Sequence, residues 1–446
     1  MDSAVIRLGS YERDVRLAAA RELGASIAVG ELARDATREV NNHVHTIYSF
    51  SPYSPAEAAY RAWEAGLMTV GAMDHDSVAG CEEMLDAAEA IGIASTVGFE
   101  LRVNMSGTDL EGRKFNNPDS ENIAYVAYHG VPRRSLAAAS EFLAPVQTAR
   151  NERNRRMVER LDDEIRSWGI GSIDWKMIAA QSQAADGGSV TERHILFALA
   201  RQMTETLGRG PEVVSFLTDN LDIVVPPRIG VYLADRDNTH YLYDLLGVMK
   251  SSLLARFYLQ PGSEECIDVR EAVAFAESIG AIIAYAYLGD VSESSTGDKS
   301  PDRFEDAYLD ELFVELETLG FRAVTYMPPR NTLKQLKRVQ ALCGEHGFME
   351  ISGVDINSSR QSFACPEVLA PDFLHLLKAA WALVAHEKAS DSMPSFGLFH
   401  PENRLASLPL ALRIDKYARF GEAADPRSPD SVLVLATQTQ SQGAPL

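Results

Sequence analysis

Residues 39–48 read EVNNHVHTIY, and one residue separates the two histidines, His43 and His45. In an extended strand, side chains two positions apart point to the same face, so both imidazoles are expected to project together. Two imidazoles that converge on one point suit a divalent transition metal. The alternative is a pair of surface histidines on an edge strand, and for an isolated His-x-His motif this alternative is the more common one.

Later parts of the chain also place candidate metal ligands in or beside strand-like apolar runs. Seven apolar runs, at 39–46, 68–73, 94–103, 123–128, 281–287, 322–327 and 348–354, alternate with helical patterns, which is typical of βαβ units and a mainly parallel sheet. Residues that can bind metals or transfer protons stand in or beside these runs: Asp74, His75, Asp76, Glu100, His129 and Asp355. A barrel of parallel strands collects its catalytic groups at its strand ends. The pattern therefore favours one shared metal centre over surface histidines.

The composition is that of an ordinary globular protein. The chain has 446 residues, of which 46% are hydrophobic and 24% charged, enough for a large core and a second module. It contains no run of eighteen apolar residues, and residues 1–14 carry charge where a signal peptide needs an apolar stretch. We therefore expect a cytoplasmic protein without a membrane span. The four cysteines lack CxxC spacing, so any metal is expected to have nitrogen and oxygen ligands.

The net charge of −21 argues against a surface that holds long nucleic acid through its phosphates. A small anionic substrate is compatible with it, because a local pocket can be basic. The candidate substrate-binding residues are Arg102, Arg193 with its neighbour His194, Arg330 and Arg360. Guanidinium groups match phosphate or carboxylate bidentately, although a structural ion pair is the more common role of any single arginine. The arginines of residues 148–160, which include Arg150 and Arg153, are expected to form mostly a solvated helix face.

The alternation of strands and helices breaks once along the chain. Residues 131–264 show helical patterns with little that resembles a barrel strand, which predicts an inserted helical cap subdomain. The remaining segments are an N-terminal helical extension at 1–38, a barrel at 39–130 and 265–400, and an irregular C-terminal segment and tail at 401–446. The last residues, 424–446, are rich in Ser, Gln, Thr and Pro and are expected to be loose.

Taken in order, the motifs resemble those of the polymerase and histidinol phosphatase (PHP) family, metal-dependent phosphoesterases of the amidohydrolase-like superfamily. They stand as His43-Val44-His45-Thr46, Met73-Asp74-His75-Asp76, Gly98-Phe99-Glu100, His129, Glu192-Arg193-His194 and Gly353-Val354-Asp355-Ile356-Asn357. The resemblance covers residues 39–130 and 265–365. It implies an α/β fold, a distorted (β/α)7 barrel with an inserted helical subdomain.

Three positions depart from the family pattern. Phe50 stands where the family carries a carboxylate, and Tyr287 and Asn357 stand where it carries histidines. The resemblance implies three ions, of which the first would use His43, His45, Glu100 and Asp355. This set is complete and predicts one tight site for Mn, Zn or Fe. A second site on Glu100 and His129 is expected to be weaker, and the third, at His75, to be empty, so Asp74, His75 and Asp76 become candidates for acid–base catalysis.

The implied function is hydrolysis of a small anionic ester, first of all a phosphoester of a metabolite or nucleotide, by metal-activated water. The missing ligands keep two alternatives open. One is a mononuclear metal-dependent hydrolase or lyase of a non-phosphate substrate, and the other is a non-catalytic protein that binds a metal or ligand. The sequence predicts neither a particular substrate nor an oligomeric state.

Overall fold

One sheet of eight strands organises the computed structural model, which describes residues 2–117, 120–290 and 304–441. The strands are β1 (Val40–Val44), β2 (Thr69–His75), β3 (Ala94–Asn104), β4 (Ile123–His129), β5 (Ile267–Asp268), β6 (Ile282–Ala286), β7 (Ala323–Tyr326) and β8 (Met349–Ser352). Seven of them follow the order β1-β2-β3-β4-β6-β7-β8, and the two-residue β5 pairs with β3. The sheet curves into a nearly closed barrel, so the predicted α/β barrel is confirmed.

One strand runs against the others. β1, β2 and β3 are parallel, and so are β6, β7 and β8, but β4 is antiparallel to both β3 and β6. The connection from β3 to β4 has no helix in its described residues, and a parallel return would need a longer crossover. The mainly parallel sheet expected from the sequence is thus interrupted by one reversed strand. His129, the last residue of β4, therefore approaches the barrel interior from the opposite direction to His75 on β2.

The described residues also form sixteen α-helices. They are α1 (Asp2–Leu8), α2 (Arg13–Ala28), α3 (Pro55–Glu64), α4 (Cys81–Ile91), α5 (Leu136–Ser167), α6 (Trp175–Gln181), α7 (Glu192–Leu207), α8 (Pro211–Ser215), α9 (Pro227–Ala234), α10 (Tyr241–Phe257), α11 (Val269–Ile279), α12 (Leu309–Leu319), α13 (Leu333–His346), α14 (Leu374–Ser392), α15 (Leu410–Ala423) and α16 (Ser431–Ser441). α3 begins with a serine cap: Ser54 accepts a hydrogen bond from the Glu57 backbone amide, and Pro55 occupies the first helical position. None of the helices in the described ranges combines the length and the apolar character that a membrane crossing requires.

Side chains close most of the gap between β1 and the segment that follows β8. The side-chain amide of Asn41 donates to the Val354 carbonyl at 3.0 Å and accepts from the Val354 backbone N–H at 2.9 Å. Asn42 donates to the Ser352 carbonyl at 2.8 Å. Among the described residues, backbone groups pair across this gap near Val44, through the bridge to Ile356. We call this boundary the asparagine seam.

The segment 131–264 contains α5 to α10 and has its own apolar core. Buried residues of this segment, such as Met157, Leu196 and Met249, form a hydrophobic cluster separate from that of the barrel. Among the described residues, Phe50 is the barrel side chain that joins this cluster, where its ring lies 5.0 Å from that of His194 and 5.8 Å from that of Phe197. The phenyl ring at position 50 therefore attaches the barrel to the inserted helices.

The prediction of an irregular segment at 401–446 is wrong for much of its described part. α15 and α16 lie within it, and α15 packs against α14. Leu410, Ile414 and Tyr417 recur at helical spacing and contribute to a hydrophobic cluster with α14 residues such as Leu383. The polar composition of this segment hid that apolar stripe, because the charged residues of α15 lie between its members.

Candidate metal centre

Strand register brings the candidate ligands to one face of the sheet. His75 pairs with Glu100 between β2 and β3, so their side chains point to the same side. Ala127 pairs with Glu100 between β3 and β4, and His129 follows two residues later on the same face. Because β4 is reversed, His129 lies deeper in the barrel than Glu100.

Glu100 is the common neighbour of three imidazoles. Its Oε1 lies 3.1 Å from Nε2 of His43, and its Oε2 lies 3.1 Å from Nδ1 of His75 and 3.9 Å from Nε2 of His45. Nε2 of His45 is also 3.1 Å from Oδ1 of Asp355. The ligand atoms of His43, His45 and Glu100 all lie within 4.8 Å of one another, which is close enough for one ion. The structure thus brings together four of the five predicted ligands.

Unpartnered nitrogen atoms indicate what this arrangement lacks. Nε2 of His45, Nδ1 of His75 and Nε2 of His129 are buried, and none of them has a hydrogen-bond partner among the described residues. A buried polar atom without a partner is costly, and most such atoms in proteins are satisfied. Since the nitrogens of His45 and His75 lie 3.1 Å from carboxylate oxygens, a divalent cation would satisfy both sets of atoms. The residues present therefore fit a metal ion with nitrogen and oxygen ligands.

The electrostatics of the site agree with that fit. Burial raises the pKa of Glu100, but the adjacent imidazoles of His43, His75 and His45 outweigh burial and lower the pKa to about 2. Burial also raises the pKa of Asp355, and the adjacent imidazoles of His45 and His43, with the charge of Arg193, hold it well below its usual value. Burial, with the charge of His43, lowers the pKa of His129 to about 3. The carboxylates are thus ionised and His129 is neutral, as metal binding requires.

Two of the three predicted acid–base residues have other tasks. Asp74 accepts hydrogen bonds from the Thr46 amide at 2.7 Å, the Thr46 hydroxyl at 2.6 Å and the Ser49 hydroxyl at 2.6 Å. Asp76 is buried and forms an ion pair with Arg150. Because both carboxylates are committed to neighbouring groups, the structure does not support a role for them in proton transfer. His75 is the predicted acid–base residue with a nitrogen left for the site.

The three residues that depart from the family pattern are all engaged elsewhere. Phe50 is buried in the hydrophobic cluster of the inserted helices. The Tyr287 hydroxyl donates to Asp306 at 2.5 Å, and burial together with that carboxylate raises its pKa well above the usual value, so it is not a phenolate. Asn357 donates to Oδ1 of Asp355 at 2.6 Å, which orients a ligand and adds none. These contacts support the prediction that the second and third ion sites are weakened.

Arg102 belongs to a buried network and does not face the site as a free cation. Its guanidinium donates to Glu265 at 2.7 Å, Glu192 at 3.0 Å and the Tyr125 hydroxyl at 2.9 Å. Arg150 and Arg153 from α5 complete the network, which we call the arginine–carboxylate cluster: Arg102, Arg150, Arg153, Asp76, Glu192 and Glu265. These contacts do not support the substrate-binding role predicted for Arg102, which stays a prediction. The expectation of a solvated helix face is wrong for Arg150 and Arg153, which are buried.

The position of these two arginines could have been read from the sequence. Arg150 and Arg153 follow Val146 and precede Met157 at intervals of three or four residues, so they share the buried stripe of α5. Their charge suggested a surface, whereas their spacing indicated the interior.

Arg360 and Arg330 are also bound by protein groups. Arg360 forms two hydrogen bonds to the carboxylate of Asp244 on α10, at 2.6 and 2.7 Å, so it joins the loop after β8 to the inserted helices. Arg330 donates to the Leu288 carbonyl at 3.2 Å. The predicted substrate role is therefore not supported for Arg360, and for Arg330 it stays a prediction.

The inserted helix α7 carries the remaining candidates. His194 caps α7: its Nδ1 accepts from the Thr191 amide at 3.0 Å, and burial lowers its pKa to about 3. This capping contact, and not substrate binding, is the role that the structure gives to His194. Arg193 is half-buried, and its charge acts on Asp355. Within the described ranges its acidic neighbours pair with other residues, Glu192 with Arg102 and Arg153 and Glu205 with Arg201.

The motif residues that lie far apart in the chain therefore meet in one place. The chain resembles the PHP family. No family model matches the sequence. Two curated proteins match short stretches: a 5′–3′ exoribonuclease of Haemophilus influenzae is 34% identical over 74 residues, 17% of this chain and 27% of that protein. An error-prone DNA polymerase of Cutibacterium acnes is 37% identical over 65 residues, 14% of this chain and 6% of that protein. The chain thus spans about a quarter or less of the length of these relatives.

Two solved structures overlap with most of the chain. One is a proposed metal-dependent phosphoesterase from Bifidobacterium adolescentis, with a TM-score of 0.49 and 19% identity, covering 74% of this chain and 94% of the other. The second is an amidohydrolase from Chromobacterium violaceum with bound sulfate and no metal, with a TM-score of 0.49 and 17% identity, covering 76% of this chain and 96% of the other.

Proposed function

We propose that the chain is a metal-dependent hydrolase of a small anionic ester, and that this ester is a phosphoester of a metabolite or nucleotide. The observation that carries the proposal is the convergence of buried, unpartnered imidazole nitrogens on Glu100 and Asp355. A structural ion pair would leave each histidine with a hydrogen-bonded partner. This group instead has the donor set of a metal centre, and one ion with an open position suffices for hydrolysis.

The residues of the chain take distinct parts in this reaction. His43, His45, Glu100 and Asp355 would hold one tightly bound ion, and His129 would contribute to a weaker second one. Such an ion supplies Lewis acidity, which acidifies water and polarises an ester oxygen. His75 lies beside Glu100, and burial holds its pKa well below the usual value, so its imidazole is neutral. It remains the candidate for acid–base catalysis.

Recognition of the anion falls to Arg193 in this proposal. Of the four candidate arginines, Arg102 and Arg360 are held by carboxylates and Arg330 contacts a carbonyl. Arg193 stands at the start of α7, and its positive charge lowers the pKa of the metal-ligand candidate Asp355, so it could also attract a substrate anion at this site. A single guanidinium favours a substrate with one anionic group near the bond that is broken.

A second candidate function has its own support. Phosphoester cleavage usually benefits from two or more ions, but Phe50 offers no ligand atom, the Tyr287 hydroxyl is bound to Asp306, and the amide nitrogen of Asn357 is bound to Asp355. These contacts favour a mononuclear hydrolase or lyase that acts on a non-phosphate anion. The two candidates share the first ion site and differ in the bond that is broken.

We expect turnover of an anionic ester that depends on Mn²⁺, Zn²⁺ or Fe²⁺ and is abolished by chelation, because in this proposal the bound ion acidifies the attacking water. The measurement is a panel of phosphomonoesters, phosphodiesters and carboxylic esters, assayed with each ion and after chelation. Turnover of carboxylic esters alone would select the second candidate. A panel without any metal-dependent hydrolysis would contradict both candidates and favour a non-catalytic binding protein.

We expect Arg193→Ala to raise the KM for the best substrate about ten- to a hundredfold, the worth of a charged hydrogen bond, while metal content stays at the wild-type value. The matched control is Arg201→Ala on the same helix, whose exposed ion pair with Glu205 should contribute little. Steady-state kinetics and elemental analysis of both variants are the measurements. Equal KM values for the two variants would show that Arg193 has only a structural role.

A further inference from the structure

A chain of hydrogen bonds leads from Asp74 to the metal ligand His45. Oδ1 of Asp74 accepts the Ser49 hydroxyl at 2.6 Å, and the same hydroxyl oxygen lies 3.2 Å from Nδ1 of His45. All three side chains are buried, Ser49 completely. Asp74 also accepts hydrogen bonds from the amide and the hydroxyl of Thr46, which hold the loop independently of Ser49.

The number of available hydrogens determines which group donates in each of these hydrogen bonds. A serine hydroxyl has one hydrogen to donate, and an ionised carboxylate has none. Since Ser49 donates to Asp74, its oxygen can only accept from His45, and Nδ1 of His45 must therefore carry a hydrogen. In a neutral imidazole the other nitrogen, Nε2, is then unprotonated. This nitrogen faces Asp355 and Glu100 and has no hydrogen-bond partner among the described residues.

We propose that Ser49, oriented by Asp74, is a positioning residue that holds His45 in the Nδ1–H tautomer and keeps Nε2 ready to bind a cation. The proposal rests on the metal centre proposed above, but not on the reaction that the centre performs. Histidine ligands commonly donate their second N–H to a protein group, and loss of that group typically weakens metal binding ten- to a hundredfold. Here a serine relays the effect of the carboxylate. Asp74 of the sequence motif thus acts on the metal centre indirectly, through Ser49 and His45.

Ser49→Ala tests this assignment directly. Without the Ser49 oxygen, a hydrogen on Nδ1 would be buried without an acceptor, whereas a hydrogen on Nε2 would face two carboxylates. The tautomer should therefore change to Nε2–H. The control is Thr46→Val, which removes another hydroxyl from the same carboxylate but leaves the contact between Ser49 and His45 in place.

The measurement uses the full chain with ¹⁵N-labelled histidine, after chelation, near pH 8, which is above the ordinary histidine pKa of about 6.5. Long-range ¹H–¹⁵N spectra then report which nitrogen of His45 is protonated, and titration with Zn²⁺ gives the affinity. We expect Nδ1–H in the wild type and in Thr46→Val, and Nε2–H with Zn²⁺ binding weakened about ten- to a hundredfold in Ser49→Ala.

Two results would overturn the proposal. The first is an Nε2–H tautomer in the wild type, which needs no variant and so does not depend on Ser49→Ala folding. The second is an equal loss of Zn²⁺ affinity in Ser49→Ala and Thr46→Val without a change of tautomer, since this would reflect the loop and not the imidazole. A lack of turnover toward every ester would contradict the proposed hydrolase and leave the tautomer measurement unaffected.

Discussion

Glu100→Gln should leave the purified protein with almost no bound metal and lower turnover by about a thousandfold or more, equivalent to about 4 kcal/mol of activation free energy. Both oxygens of Glu100 lie beside imidazole nitrogens, so the carboxylate is the shared anion of the centre. The amide has nearly the same size but no charge, and its NH₂ group would point a hydrogen at one of these imidazoles. Elemental analysis of the purified variant, together with its turnover, gives the answer.

The control for this variant is Glu350→Gln. Glu350 lies in β8 and accepts hydrogen bonds from Tyr326 and His375, away from the metal ligands, so its neutralisation should leave metal content unchanged. A Glu100→Gln protein that retains a full equivalent of metal would show that the ion sits elsewhere, and the site proposed on His43, His45, Glu100 and Asp355 would then be wrong.

Arg102→Met should lower the free energy of unfolding by about 3–5 kcal/mol, the usual result of removing one partner from a buried ion pair. Three arginines face three carboxylates in the arginine–carboxylate cluster, and the variant leaves one negative charge uncompensated. Methionine fills a similar volume, so the loss reports mainly the charge. Urea unfolding followed by circular dichroism measures it.

The comparison variant for the cluster is Arg338→Met. Arg338 pairs with Asp310 at the surface, and both side chains are exposed, so the change should cost less than about 1 kcal/mol. Adding Glu265→Gln to Arg102→Met should recover part of the loss, because it restores the charge balance. Equal effects of Arg102→Met and Arg338→Met would mean that water reaches the cluster and that it does not hold the inserted helices to the barrel.

Seven of the eight strands, and the grouping of His43, His45 and Glu100, were predictable from the sequence because their signals are local. β2 illustrates how far this extends: the apolar pattern ends at Met73, whereas the strand continues to His75, which pairs with Glu100. Residues whose side chains line a polar site still belong to the strand. A strand predicted from its apolar residues alone therefore ends too early. The convergence of His43, His45 and Glu100 then follows from the barrel.

The assignment of charged residues was less predictable, because it depends on contacts between distant segments. Arg102 and Arg360 look like anion-binding residues from their place near strand ends, but Glu265 and Asp244, each more than a hundred residues away in sequence, neutralise them. The reversed direction of β4 is also a long-range property. It depends on how the chain returns after Asn104 and not on the residues of the strand itself.

Because of its position at the asparagine seam, a bound ion would have a structural role as well as a chemical one. His43 and His45 lie on the β1 side of the seam, and Asp355 lies on the other side. Asn41 and Asn42 supply most of the hydrogen bonds across it. An ion bound by these ligands would link the two sides of the seam. Loading at a thousand times the Kd would add about 4 kcal/mol to the stability of the closed barrel. Amide hydrogens beside the seam would then exchange slowly in the loaded protein and rapidly after chelation, while those between β2 and β3 would change little.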